Sequence, residues 1–254
     1  MNKPSPTPSL EVAQYGRVLE ITLNRPDKRN ALSHDMCAGL VSLCEDTDAS
    51  VGAIVWKSKG AVFCSGMDLE DATIGATEIH GRLFTLGQRV RKPIIAAIGG
   101  PALGGGLGLV ANSHIAVAAH GAQFGLTEIR VGMWPFVIYP AIERVFGPRR
   151  TLELALSSKI FNTPEAMAWG LIAEVVPPVE LDDRVDAIAN ALANASAETI
   201  ARGLGFVAAL PGQPLNEQIA LALNVRAEQF SSRDFAEGVK AFQEKRPPLW
   251  PSNQ

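Results

Sequence analysis

The stretch Pro101-Ala-Leu-Gly-Gly-Gly-Leu-Gly-Leu109, entered through the apolar run Pro93–Ile98 and continued by Val110-Ala111, decides how the chain is read. An apolar run, three successive glycines and a return to apolar residues spell a strand, a tight turn and the start of a helix. Glycine has no Cβ, so such a turn brings backbone close to another group, and the first amides of the helix have no intrahelical acceptor. A turn of this kind favours negative charge. A close helix–strand crossing explains a glycine triplet equally well, so the rest of the chain has to distinguish the two.

Upstream, Val18–Leu23 is β-branched and apolar, and Asn24-Arg-Pro-Asp-Lys-Arg-Asn30 follows as a basic turn. Ser33 is placed to cap a helix over His34–Asp46, with Met36, Leu40 and Leu43 at helical spacing. Gly52–Trp56 is apolar without alternation, which predicts an inner strand covered on both faces. In Ala61-Val-Phe-Cys-Ser-Gly-Met-Asp-Leu69 a single glycine, Gly66, interrupts bulky residues and suggests a second ligand-facing turn, with a simple bend as the alternative. Helix is expected around His80–Val90. Downstream of the glycine turn, a helix ends near Asn112, and His114–Ala119, Ala122–Phe124 and Val175-Val176 read as strands. Gly147-Pro148 separates two helical stretches, and Thr163-Pro164 reads as the N-cap and first residue of a short helix stopped by Gly170. From Glu180 onward the pattern is helical, broken at Pro211–Pro214. Strands alternating with helices predict an α/β core, and a helical region follows it.

With 254 residues, 47% hydrophobic, 19% charged and a net charge of −3, the chain suits a large single core and offers no basic surface for nucleic acid. No run approaches the ~18 apolar residues of a membrane span, and residues 1–9, with three prolines, suit a disordered tail without a signal peptide. Cys37, Cys44 and Cys64 are odd in number and form no CxxC, which points to reduced cytoplasmic thiols. Four scattered histidines predict no metal site.

Several motifs occur in a characteristic order: Leu23-Asn-Arg-Pro-Asp-Lys-Arg-Asn-Ala-Leu32, Phe63-Cys-Ser-Gly-Met-Asp-Leu69, Lys92-Pro93, Ala102-Leu-Gly-Gly-Gly106, Ala122-Gln-Phe-Gly125 with Glu128, Ala166–Leu171, Glu237-Gly238, and Ala241-Phe-Gln-Glu-Lys245. On these motifs the chain resembles the enoyl-CoA hydratase/isomerase family, the crotonases, from about Val18 to Trp250. The resemblance implies a spiral of ββα units over residues 10–193 and a C-terminal helical region, 194–254, serving in a homotrimer or dimer of trimers. It also implies an acyl-CoA thioester as substrate, with coenzyme A part of the substrate and no separate cofactor. By the same resemblance the backbone N–H groups of Met67 and Gly105 form an oxyanion hole, with Ser65, Gly66, Asp68, Leu69 and Gly104 around it. Lys28, Lys245 and Phe242 correspond to positions that hold the nucleotide portion, Lys245 possibly from a neighbouring subunit.

The expected chemistry follows. Reaction at the α-carbon of a thioester places negative charge on its oxygen, which two preorganised amides stabilise. Hydratases of the family carry two glutamates; the second matches Glu128, while the first falls on Gly108, which has no side chain. Hydration uses two carboxyl groups well, whereas moving a double bond needs one base to carry a proton from C2 to C4. Glu128 alone therefore suits isomerisation better than hydration. Its apolar setting is expected to raise its pKa, although Arg130 is an alternative structural partner. Trp134, Phe136 and Tyr139 are candidates for an acyl pocket or for plain core. Two other readings remain. Gly108, and His114 where the family often has aspartate, suit a non-catalytic acyl-CoA-binding homologue. A dinucleotide-binding oxidoreductase lacks its G-x-G-x-x-G fingerprint in a first βα unit.

Overall fold

In a computed structural model, which describes residues 8–71 and 77–254, the chain builds two sheets with helices packed around them. Strands β1 (Leu10–Tyr15), β2 (Val18–Leu23), β3 (Ala53–Ser58), β4 (Ile94–Ile98), β6 (Ile115–Ala119) and β9 (Glu174–Val176) form the larger sheet in the order β1-β2-β3-β4-β6-β9. Only β1 runs antiparallel to its neighbour. The smaller sheet is β5 (Ala102–Leu103), β7 (Gln123–Gly125) and β8 (Ile160–Asn162). Isolated bridges Cys64–Ala102 and Leu32–Met67 extend it toward the N-terminal half.

The parallel strands are apolar on both faces because both faces are covered. On one face Ile54, Trp56, Ile94, Ala96, Ala116 and Ala118 join a core with α1 (His34–Glu45) and α4 (Gly105–Asn112). On the other, Ala53, Val55, Ile95, Ala97, Val117 and Ala119 pack on Val185, Ala189 and Ala193 of α7 (Leu181–Ala193). The alternation of the two sets along each strand is the period-2 geometry of the pleat. This is the α/β architecture with a C-terminal helical region that the resemblance implies.

Several boundaries differ from the sequence reading. The expected tail over 1–9 lies, apart from residues 8 and 9, outside the described residues. Strand β1 escaped notice because Leu10-Glu-Val-Ala-Gln-Tyr15 is a half-exposed edge with only Leu10 fully buried. The expected helix around His80–Val90 is two short helices, α2 (Thr77–Leu83) and α3 (Leu86–Arg89), linked by Phe84-Thr85. Helix α5 (Tyr139–Ser157) does kink at Gly147, at φ 73° and ψ 168°. The N-cap of α6 (Thr163–Ala168) is Asn162 rather than Thr163: its side chain accepts from Glu165 N–H while Glu165 accepts from Asn162 N–H, a reciprocal capping box.

Three helices complete the chain: α8 (Ala197–Ala209), α9 (Leu215–Phe230) and α10 (Arg233–Glu244). They bury almost no apolar side chain completely; Ala241 is the one buried apolar residue among them. Polar ties hold their ends. Buried Asp234 accepts from the hydroxyls of Ser196 and Ser252. The Asn253 amide donates to Ala195 C=O at 2.9 Å, and the Arg17 guanidinium donates to the carbonyls of Ala193 and Asn253 at 3.0 and 3.1 Å.

His114 stands where three elements meet. Its Nδ1 accepts the Ile94 N–H at 2.9 Å, and Nε2 lies 2.8 Å from Gly87 C=O in α3. Only the neutral ring with its proton on Nε2 makes both bonds, and burial lowers its pKa. Because the folded pKa lies below the unfolded value of about 6.5, this stabilisation is complete above that pH and is lost as pH falls from there toward the folded pKa. We expect His114→Ala to cost about 1–3 kcal/mol at pH 7.5 by orphaning the Ile94 amide. Thermal melts at pH 7.5 and pH 5.5 check it: the gap between wild type and variant narrows at the lower pH, and a constant gap contradicts the assignment.

Candidate active site

Two backbone turns meet at the centre of the site. Phe63 and Cys64 are buried, and the chain then turns at Gly66, whose φ of 105° only glycine adopts readily. Leu32 N–H donates to Gly66 C=O at 2.8 Å, and Asp68 N–H donates to Leu32 C=O at 3.0 Å. Residues 66 and 68 thus face Leu32, so the intervening Met67 N–H points the opposite way, as alternate peptide groups do in a ladder. It donates to no described residue. Gly104, with its N–H held by Gly125 C=O at 2.8 Å, leads into α4, and Gly105 N–H is that helix's first amide, with no intrahelical acceptor and at the positive end of the dipole.

Steric geometry shows how closely the turns approach. A Cβ on Gly66 would sit 3.4 Å from Gly105 N and 3.2 Å from Leu103 C=O; a Cβ on Gly104 would sit 3.7 Å from Gly66 Cα. One on Gly106 would meet Cys64 C=O at 2.3 Å. The glycine triplet therefore serves both sequence readings together, a close crossing and an amide-lined turn.

Glu128 opens a 3₁₀ turn over Glu128–Val131 that Gly132 closes in the left-handed region. Its carboxylate lies against the glycine turn: Oε1 is 2.9 Å from the point where a Gly104 Cβ would stand. Oε2 is buried without a hydrogen-bond partner among the described residues. Burial raises the Glu128 pKa, opposed in part by hydrogen bonds from the Glu128 and Thr127 amides. The alternative partner considered for it, Arg130, points elsewhere: its guanidinium donates to the Ser158 hydroxyl and carbonyl at the end of α5. That contact ties the turn carrying Glu128 to the helix behind it.

These groups open into a cavity of about 270 Å³. Ser65, Gly66, Met67, Leu69, Gly104, Gly105 and Glu128 line it, and so do Trp134 and Phe136, for which sequence left pocket and core open. Trp134 stacks on Tyr139 with ring centroids 6.2 Å apart, and Phe136 is at the exposed rim. Among the described residues Glu128 is the only acid in the wall. The wall also contains residues not singled out from sequence, notably His80 and Phe84 from the α2–α3 segment and Met133 and Ile138 beyond the 3₁₀ turn. Only their tertiary approach reveals them. Gly108 is not in the wall; Phe84 and Ile138 cover it.

Four other candidates lie outside the cavity. Asp68 is ion-paired with Arg25 at 2.8 Å, and Lys28 with Glu70 at 2.9 Å at the surface. Phe242 is 86% exposed on α10, and Lys245 caps that helix in the left-handed region. No described cluster of three His, Cys, Asp or Glu side chains is arranged for a metal, and no described helix is long and apolar enough to cross a membrane. Cys64 is buried beneath the Gly66 turn, and burial pushes its thiol up to about 12, far from the reactive thiolate range.

The arrangement holds a partly desolvated carboxylate beside two backbone turns whose Met67 and Gly105 amides have no acceptor among the described residues, which fits proton transfer next to a carbonyl that gains negative charge. Comparison with known proteins gives the family. A sequence model described as Enoyl-CoA hydratase/isomerase matches residues 13–253. The chain is 34% identical to the mevalonyl-coenzyme A hydratase sidH of Aspergillus fumigatus, covering 92% of this chain and 91% of that one. It is 31% identical to the human mitochondrial enoyl-CoA hydratase domain-containing protein 3, covering 98% and 84%. The crystal structure of enoyl-CoA hydratase from Mycobacterium tuberculosis superimposes with a TM-score of 0.90 at 28% identity, covering 97% of this chain and all of that one. With the family model spanning nearly the whole chain and relatives above 30% identity along most of it, this protein belongs to the enoyl-CoA hydratase/isomerase family.

Proposed function

We propose that the protein moves the double bond of an enoyl-CoA thioester, with Glu128 as its single acid/base. The observation that carries this reading is Glu128, the one acid in the pocket wall among the described residues, with one oxygen buried and without a hydrogen-bond partner among them, set against the turn that presents the Gly105 amide. In the proposed reaction the Glu128 carboxylate removes a C2 proton from a 3-enoyl thioester. The C–H electron pair moves into an enolate whose oxygen accepts from Met67 and Gly105 N–H. The protonated Glu128 then returns the proton at C4 as the double bond shifts to C2–C3, so nothing is gained or lost from solvent. Lys28, Lys245 and Phe242 are proposed contacts for the nucleotide portion of coenzyme A, and Asp68 acts through Arg25 to shape the loop beside it.

Hydration is the second reading, favoured by the names of the relatives, which are called hydratases. We also propose a homotrimer or dimer of trimers, supported by the exposed apolar residues Leu215, Ile219, Leu223 and Phe242 on α9 and α10. Cytoplasmic location remains our reading from the three reduced thiols, to be weighed by fractionation against the mitochondrial name of the human relative.

Purified protein offered 3-enoyl-CoA is expected to form 2-enoyl-CoA faster than it hydrates 2-enoyl-CoA; the reverse order establishes the hydratase reading, and turnover of neither refutes the acyl-CoA enzyme. Glu128→Gln should lower kcat by about 10²-fold or more while leaving binding of a saturated acyl-CoA intact. Because the base must be ionised and burial raises its pKa, the rate should fall on the acid side at a pH above the ordinary glutamate value of about 4.3. Light scattering is expected to give three or six times the 27.0 kDa chain mass, and a monomer would contradict the proposed assembly.

A further inference from the structure

Phe84 lies in the link between α2 and α3, is buried, and forms part of the pocket wall. Its ring runs along the start of α4: a Cβ on Gly105 would come 3.4 Å from its Cζ, and one on Gly108 would come 2.8 Å from Cε1 and 3.0 Å from Cδ1. Ile138 closes the other side, its Cγ2 only 2.7 Å from that Gly108 position. A methyl group there would crowd both side chains, so the position that by resemblance would carry a second glutamate is covered by two apolar side chains from separate elements. The same ring borders Gly105, in the cavity where Glu128 Oε2 is buried without a hydrogen-bond partner among the described residues.

We infer that Phe84, assisted by Ile138, is the residue that sets the reaction outcome: it fills the volume that a second carboxylate and its activated water require, and so shields C3 of the bound acyl group from water. The inference rests on the enoyl-CoA reading of the pocket and deepens it. Water attack at C3 would need a base to take its proton as the C–O bond forms, and C2 would need a proton in return. A dry aromatic wall denies the first step while leaving the C2-to-C4 transfer by Glu128 untouched. Phe84 takes no proton itself; it is a specificity-determining residue that acts by excluding solvent.

The test is a cycle of Gly108→Glu, Phe84→Ala and the double variant, with Phe84→Leu as the conservative control. Gly108→Glu alone is expected to lower the Tm by several degrees, because a side chain there overpacks the core against Phe84 and Ile138. Adding Phe84→Ala should recover part of that loss. In turnover, Phe84→Ala should shift the ratio of hydration to isomerisation toward hydration by about tenfold, the double variant further, and Phe84→Leu little. Phe84→Ala should also move the acid limb of the pH–rate profile downward as water reaches Glu128, a change that general loosening of the fold does not produce. An unchanged ratio in an active enzyme, or Gly108→Glu tolerated with Phe84 in place, overturns this inference alone. Wild-type protein that turns over neither substrate overturns the underlying reading as well.

Discussion

The site depends on contact between two lengths of bare backbone. The Gly66 turn and the Gly104-Gly105 turn lie in direct contact, so that a methyl group on Gly66 would press on Leu103 C=O and Gly105 N at 3.2 and 3.4 Å, and on the proposed reading that approach lets two amides from distant parts of the sequence serve one oxygen. Side chains cannot substitute for this, because a hydrogen bond to an oxyanion requires donors fixed within a few tenths of an ångström before the charge appears. The parallel sheet, the bridge from Leu32 to Met67 and the packing of Cys64 under Gly106 all maintain that one distance.

Electrostatics of the site follow from this placement. The Gly105 amide lies at the positive end of α4, yet the acid near it is displaced toward its neutral form, because burial outweighs the amide hydrogen bonds that favour its charge. A carboxylate of this kind is poorly solvated as an anion, which suits the proposed role of removing a proton and returning it. Arg130 would undo that balance as a direct partner. Turned instead to Ser158, it anchors the segment without holding the carboxylate ionised.

Much of this was legible in the sequence, for identifiable reasons. Glycines announce backbone geometry locally, so Gly66, Gly104 and Gly105 could be read without knowing what they touch, and the unbroken apolar runs of β3 and β4 implied coverage on both faces. Phe84 and His80 could not be found that way: they lie in a short irregular pair of helices, and their role comes from where the segment docks rather than from its own pattern. Strand β1 hides because an edge strand with one fully buried residue carries almost no hydrophobic signal. Asp68 and Lys28 read as ligand contacts from motif position, but their ion pairs with Arg25 and Glu70 arise from tertiary placement.

The Arg17 tie has a consequence for how the chain is made. Arg17 bonds to Asn253 across 236 residues, from the turn between β1 and β2 to the segment beyond α10. At synthesis rates of about 5–20 residues per second, the early hairpin waits roughly ten to fifty seconds on the ribosome before its partner exists. During that interval the hairpin is held by its pairing with β3, by its core side chains and by the earlier Arg17 bonds to the carbonyls of Ala49 and Ala193.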